Sequence, residues 1–135
     1  MMRRCAGVLL FAVLACGPDG RPFPETRVYA HALFPTVEAC AIAQQQGFIN
    51  CEQWATFCAN GRAEVVVTDI INPATYRVDD GIVTVRLAGP GDAPETMRFR
   101  VSADGNALTD VGGTRTWNRR PDAEPQAEQS SCASS

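Results

Sequence analysis

The sequence predicts a mainly β fold: a small antiparallel up-and-down meander of about eight strands, closed or flattened into a barrel, with one short α-helix near residues 36–46. Three observations predict it. From about Trp54 onward, apolar residues recur at every second position, the mark of pleated strands with one dry face and one wet face. The gaps between these runs carry turn residues: Asn60-Gly61, Asn72-Pro73, Asp80-Gly81, Gly89-Pro90-Gly91-Asp92, Asp104-Gly105-Asn106 and Gly112-Gly113. The chain has 135 residues, 45% hydrophobic and 20% charged, which is the length and composition of a single globular domain.

The N-terminus reads as an address. Met1-Met2-Arg3-Arg4 is a short basic head, and Ala6 to Ala15 is a run of ten apolar residues. Ten residues rise about 15 Å as a helix, half of a bilayer core of about 30 Å, so the run is too short to span and fits a signal-peptide apolar region. It stops at Cys16. Val13-Leu14-Ala15-Cys16 resembles the lipobox of bacterial lipoproteins. That resemblance implies a signal peptide over 1–15, cleavage before Cys16 and acylation of Cys16, hence a palmitate-type anchor in a membrane. Gly17 rather than Asp follows the Cys, which by the same resemblance favours the outer membrane, facing the periplasm. Several acyl chains hold stably where one holds marginally.

Residues 16–25 follow as a tether: GPDGRPFPE has two Gly and three Pro, which exclude a helix and a central strand. The domain is expected over 26–120. Its helix signal is Thr36 as a cap, Glu38 at the positive start and Gly47 at the end. Val37, Cys40, Ala41 and Gln44 share its face. Strands are expected at about 26–33, 54–58, 62–71, 74–79, 82–88, 95–101, 106–110 and 114–119. Val83-Val85-Leu87 alternates with Ile82-Thr84-Arg86, and Met97-Phe99-Val101 with Thr96-Arg98-Arg100. Consecutive hairpins can close such a meander and remove its edges. Residues 121–135, with two Pro, four Ser and no large apolar residue, are expected to be a disordered tail.

The segments TFCANGRAEVVV, ATYRVDDGIVTVRL, MRFRVSADGNALTD and GTRTWNR look like the lipocalin-like and META-type small barrels of bacterial envelope lipoproteins. The likeness covers about residues 54–120. It implies a β-barrel and, as one alternative, a binding module for a small apolar or anionic ligand. The Gly-x-Trp that opens lipocalins is replaced by Arg27-Val28-Tyr29.

Cysteine usage fits export. Beyond Cys16, the mature chain has Cys40, Cys51, Cys58 and Cys132, which argue for two disulfides with three pairings open. Cys40–Cys51 with Cys58–Cys132 is favoured; Cys40–Cys58 or Cys51–Cys58 is the rival. Their spacings match no zinc template, so the metal expectation is none.

The remaining chemistry is sparse. All 12 basic residues are Arg, and with no Lys there is no Schiff-base or phosphate-loop lysine. Without Arg3 and Arg4, ten Arg face fifteen acids, a net charge of −5 that argues against nucleic acid or an anionic membrane as main partner. Ser102 lacks a nucleophile motif, His31 has no positioned partner, and Asp104-Gly105-Asn106 lacks the rest of a calcium loop. Asp79-Asp80 is a turn pair. No catalytic residue and no cofactor is expected. Trp54, Phe57, Phe99 and Trp117 read as core. Arg77, Arg86, Arg98 and Arg100 fall on the polar faces of their strands and are the candidates for ligand or partner contact, since clustered guanidinium groups grip carboxylate or phosphate bidentately. The expectation is therefore a non-enzymatic envelope lipoprotein of structural or interaction type, meeting an envelope protein or a small ligand.

Overall fold

The computed structural model describes residues 20–47, 50–89 and 94–133. Eight strands follow one another: β1 (Arg27–Ala32), β2 (Glu52–Phe57), β3 (Arg62–Val66), β4 (Ile71–Asp79), β5 (Ile82–Leu87), β6 (Thr96–Val101), β7 (Ala107–Asp110) and β8 (Thr116–Arg119). Each pairs antiparallel with the next, and β8 returns to β1 through Tyr29 opposite Arg119 and Ala30 opposite Asn118. The barrel is therefore closed. The expected signal peptide and Cys16 lie outside the described residues.

The period-two pattern decides what points inward. Ala55, Phe57, Ala63, Val65, Ala74, Tyr76, Val83, Val85, Met97, Phe99, Leu108 and Trp117 join Tyr29 in one buried cluster that fills the lumen. Rings meet within it at centroid distances of 4.9 Å for Phe57–Tyr76 and 5.4 Å for Phe99–Trp117, both edge-on. Such pairs contribute about 0.5–1.5 kcal/mol beyond the area they bury.

One expected turn is a strand interior. Asn72-Pro73 lies within β4, and the chain reverses at 67–70 instead. Pro73 accepts from the Ala88 N–H at 2.9 Å, just past the end of β5, so its missing donor falls where the ladder has run out. Asn72 points inward and donates to the Val65 and Ile70 carbonyls at 3.0 and 3.1 Å, which satisfies a buried amide.

The helix α1 (Val37–Gln45) starts where expected, with Thr36 Oγ1 accepting from the Ala39 N–H at 3.0 Å. Its buried residues are Cys40 and Ala43, not the predicted set; Val37, Ala41 and Gln44 are exposed. The disulfide from Cys40 to Cys51, with Cα atoms 5.6 Å apart, fixes which face turns to the barrel.

Both flanks of the domain depart from expectation. The tether assigned to 16–25 docks from Gly20 on: Arg21 and Val78 exchange two backbone hydrogen bonds at 3.0 and 2.7 Å, and Phe23 enters the lumen. Phe23 closes that pole of the barrel, its N–H donating to the Tyr76 hydroxyl at 3.0 Å and the Arg27 guanidinium lying 4.3 Å over its ring. An aromatic ring between prolines outweighs the composition around it, because one buried Phe contributes about 1.5–3 kcal/mol.

The described part of the tail assigned as disordered, residues 121–133, also folds onto the barrel. A turn of 3₁₀ helix (Pro121–Ala123) leads into α2 (Glu124–Ser130), which covers the outer side of β1. Glu124 accepts from the Val28 N–H at 3.0 Å and from Arg119 Nε and Nη2, both at 2.9 Å, and Thr26 donates to Glu128. Cys58–Cys132 locks the end, with Cα atoms 5.5 Å apart. The tail lacks apolar bulk, so side-chain hydrogen bonds and a covalent link replace burial.

Candidate functional site

The outward positions of β4, β5 and β6 form one arginine-rich face. Because Tyr76, Val85 and Phe99 point in, Thr75, Arg77, Thr84, Arg86, Arg98 and Arg100 point out. The register sets Arg77 opposite Thr84 and Thr84 opposite Arg98; Arg86 lies between Thr75 and Thr96, and Arg100 is opposite Ile82. Guanidinium groups thus alternate with threonine hydroxyls across three strands. A surface hollow of about 300 Å³ sits among Thr75, Tyr76, Arg77, Thr84 and Arg86. The four candidate arginines are brought together, as their alternation implied.

They differ from the other arginines in their company. Arg27 pairs with Glu25, Arg115 with Asp110, Arg119 with Glu25 and Glu124, and Arg120 with Glu52 and Asp122. Glu124 also holds Arg119 more firmly protonated than usual through its hydrogen bonds. Among the described residues, no carboxylate pairs with Arg77, Arg86, Arg98 or Arg100, and all four are exposed. The N-terminal segment runs beside them: a Cβ placed on Gly20 would lie 3.0 Å from Cβ and Cδ of Arg77.

A second polar cluster, missed from sequence, closes the mouth opposite Phe23. Arg115 Nε reaches Asp110 Oδ2 at 2.5 Å, Trp117 Nε1 donates to Asp110 Oδ1 at 2.9 Å, and Arg115 Nη1 donates to Gln53 Oε1 at 3.0 Å. Its one sequence signal was Asp110 and Arg115 flanking the Gly112-Gly113 turn. Both Asp110 oxygens are bonded within it, and the cluster caps the core. Beside it, between α1 and the ends of β1 and β2, lies an apolar groove of about 340 Å³ reached by Phe34, Val37 and Cys40.

The other candidates take structural places. His31 Nδ1 lies 2.9 Å from the Thr116 carbonyl and stacks near Trp117. Ser102 donates to Asp104 at 2.6 Å, and Asp104 accepts from the Asn106 N–H, which completes a hairpin turn. These bonds hold the Asp104 carboxyl below its ordinary value, the Ser102 bond most of all. Asp80 takes φ 54° in the β4–β5 turn. Trp54, expected in the core, instead lies half-buried on the outer side of β2, because inward Ala55 puts its neighbour outward; it sits under Arg120, whose guanidinium carbon is 5.1 Å from its ring centre. Among the described residues, no group of three or more His, Cys, Asp or Glu could hold a metal, and no helix is long and apolar enough to cross a membrane.

Fold and site together define a small closed antiparallel barrel with a filled lumen and a cationic outer face. Comparison of the chain with protein-family models, curated proteins and solved structures finds no match.

Proposed function

We propose that this chain is a non-enzymatic, lipid-anchored envelope lipoprotein that works through its surface rather than through a cavity. The observation that carries the reading is the occupied lumen: Tyr29, Phe57, Phe99, Leu108 and Trp117 fill it and are each no more than 1% exposed. Such a barrel has side chains where a ligand-carrying barrel keeps space. The alternative of an apolar ligand in the lumen loses ground, because Val65, Val83, Val85, Met97, Phe99 and Trp117 converge in a single packed cluster with Val67 against it.

Two further observations support the envelope address. The two disulfides belong to an oxidising compartment. The ten-residue apolar run ending at Cys16 fits export and acylation, with cleavage after residue 15 and the outer membrane as the favoured destination. The anchor is tested by fractionating cells that express Cys16→Ser: the variant moves from the membrane fraction to the soluble periplasm. Unchanged membrane retention overturns the reading.

A further inference from the structure

We propose that the outer face of β4, β5 and β6 lies against the anionic headgroups of the same membrane that holds the Cys16 lipid, with Arg77, Arg86, Arg98 and Arg100 making the contacts. The proposal rests on the lipid-anchor reading for its source of lipid and on the geometry of the barrel for its surface.

The net negative charge of the chain conceals a segregation. On the β1–β8 side and in the tail, arginines are neutralised by Glu25, Asp110, Glu124 and Glu52. The outward positions of β4, β5 and β6 hold four arginines and one carboxylate, Asp79 at the margin. Like charges set side by side on a rigid sheet repel unless a counter-charge joins them. A phosphodiester surface supplies that counter-charge, and the guanidinium fork matches phosphate oxygens in pairs. Thr84 stands between Arg77 and Arg98 in register, Thr75 and Thr96 flank Arg86, and all three add hydroxyl donors to the same plane.

The attachment point selects the membrane over a soluble anion. The described residues begin at Gly20, packed on the aliphatic stem of Arg77, and Arg21 is bonded to Val78 of β4. Three residues separate Gly20 from Cys16. A chain that short spans about 14 Å at full extension. An acylated Cys16 therefore holds the Arg77 end of the face within that reach of the bilayer surface. Lipid chain and cationic face are then two signals for one membrane, the combination that makes peripheral anchoring stable. The face alone binds weakly, and salt screens it within about 8 Å at physiological ionic strength, so Cys16→Ser protein still leaves the membrane in cells.

The test uses the exported protein carrying Cys16→Ser, so that vesicle binding reports the face without the lipid. At low salt it co-sediments with vesicles of phosphatidylcholine and phosphatidylglycerol in equal parts, and not with vesicles of phosphatidylcholine alone. Arg77→Gln and Arg86→Gln each lower that binding about five-fold, with unchanged circular dichroism reporting an intact fold. No binding to the mixed vesicles overturns the headgroup face and leaves the Cys16 anchor untouched. Vesicle binding indifferent to the arginine substitutions overturns it as well. Inorganic phosphate binding to the free protein, without vesicle binding, would assign the face to a soluble anion instead and overturn the membrane source.

Discussion

The Tyr76 hydroxyl joins three parts of the molecule. It donates to the Cys58 carbonyl at 2.6 Å and accepts from the Phe23 N–H at 3.0 Å, so one oxygen links β4, the β2–β3 turn and the segment that plugs the barrel. Tyr76→Phe keeps the ring but strands the buried Phe23 N–H and leaves the Cys58 carbonyl with the Gly61 N–H alone, which destabilises the protein by about 1–3 kcal/mol. Burial pushes this phenol up from 10.0 to about 12. The folded state therefore holds the proton more tightly than the unfolded chain does. Its contribution is fully present below pH 10.0 and is lost as pH rises through about 12. Thermal melts across that window are expected to fall steeply for the natural protein and less steeply for Tyr76→Phe. Tyr29, also raised by burial, accounts for a remaining slope. Equal slopes in the two proteins would contradict this account. At this scale the outward arginines were legible, because alternation assigns faces without tertiary information. The Tyr76 bonds were not, since they join groups far apart in sequence that meet only when the pole of the barrel forms.

Among the elements, the C-terminal helix shows where composition misleads. α2 buries only Ala127, and its attachment comes from Glu124, Glu128 and Cys132. The chain-entropy model makes the stabilisation grow with loop length, to about 4 kcal/mol for a loop the size of Cys58–Cys132 and about 3 kcal/mol for one the size of Cys40–Cys51. The paired substitution Cys58→Ala with Cys132→Ala is expected to lower the urea midpoint more than Cys40→Ala with Cys51→Ala. It also exposes the amides of residues 124–130 to rapid hydrogen exchange. Retained protection there would show that the carboxylates alone hold the helix. Six of the eight strands matched their expected ranges closely; β3 ends at Val66 rather than at 71, and β4 begins at Ile71 rather than at 74. The β3–β4 turn was misplaced because Asn72-Pro73 has turn composition, while the local Val65 and Ile70 carbonyls offered the Asn72 amide better partners inside the strand.

For the whole molecule, closure is the decisive property. A single core cluster touches every strand, so no sheet edge is left to fray and no part of the barrel can lose its packing alone. Unfolding is expected to be one cooperative transition, with the fluorescence of Trp54 and buried Trp117 coinciding with far-ultraviolet circular dichroism. Separate midpoints would mean that one side of the barrel opens first. Hairpin spacing made the neighbour order readable, but the meeting of β1 with β8 was not, because no local pattern encodes a contact between the two ends of a sheet. The plug was hidden for the same reason: Phe23 has no periodic partners in sequence and acquires its surroundings only when the pole forms.

Phe23 also determines how the protein would bear tension. Traction on the N-terminal side passes first through the two Arg21–Val78 hydrogen bonds and then to the ring seated in the pole. β4 feels the pull through Val78, and β1 takes it up only after the ring is drawn out. The stopper is thus expected to act as a mechanical fuse that yields to a pull before the closed sheet behind it does.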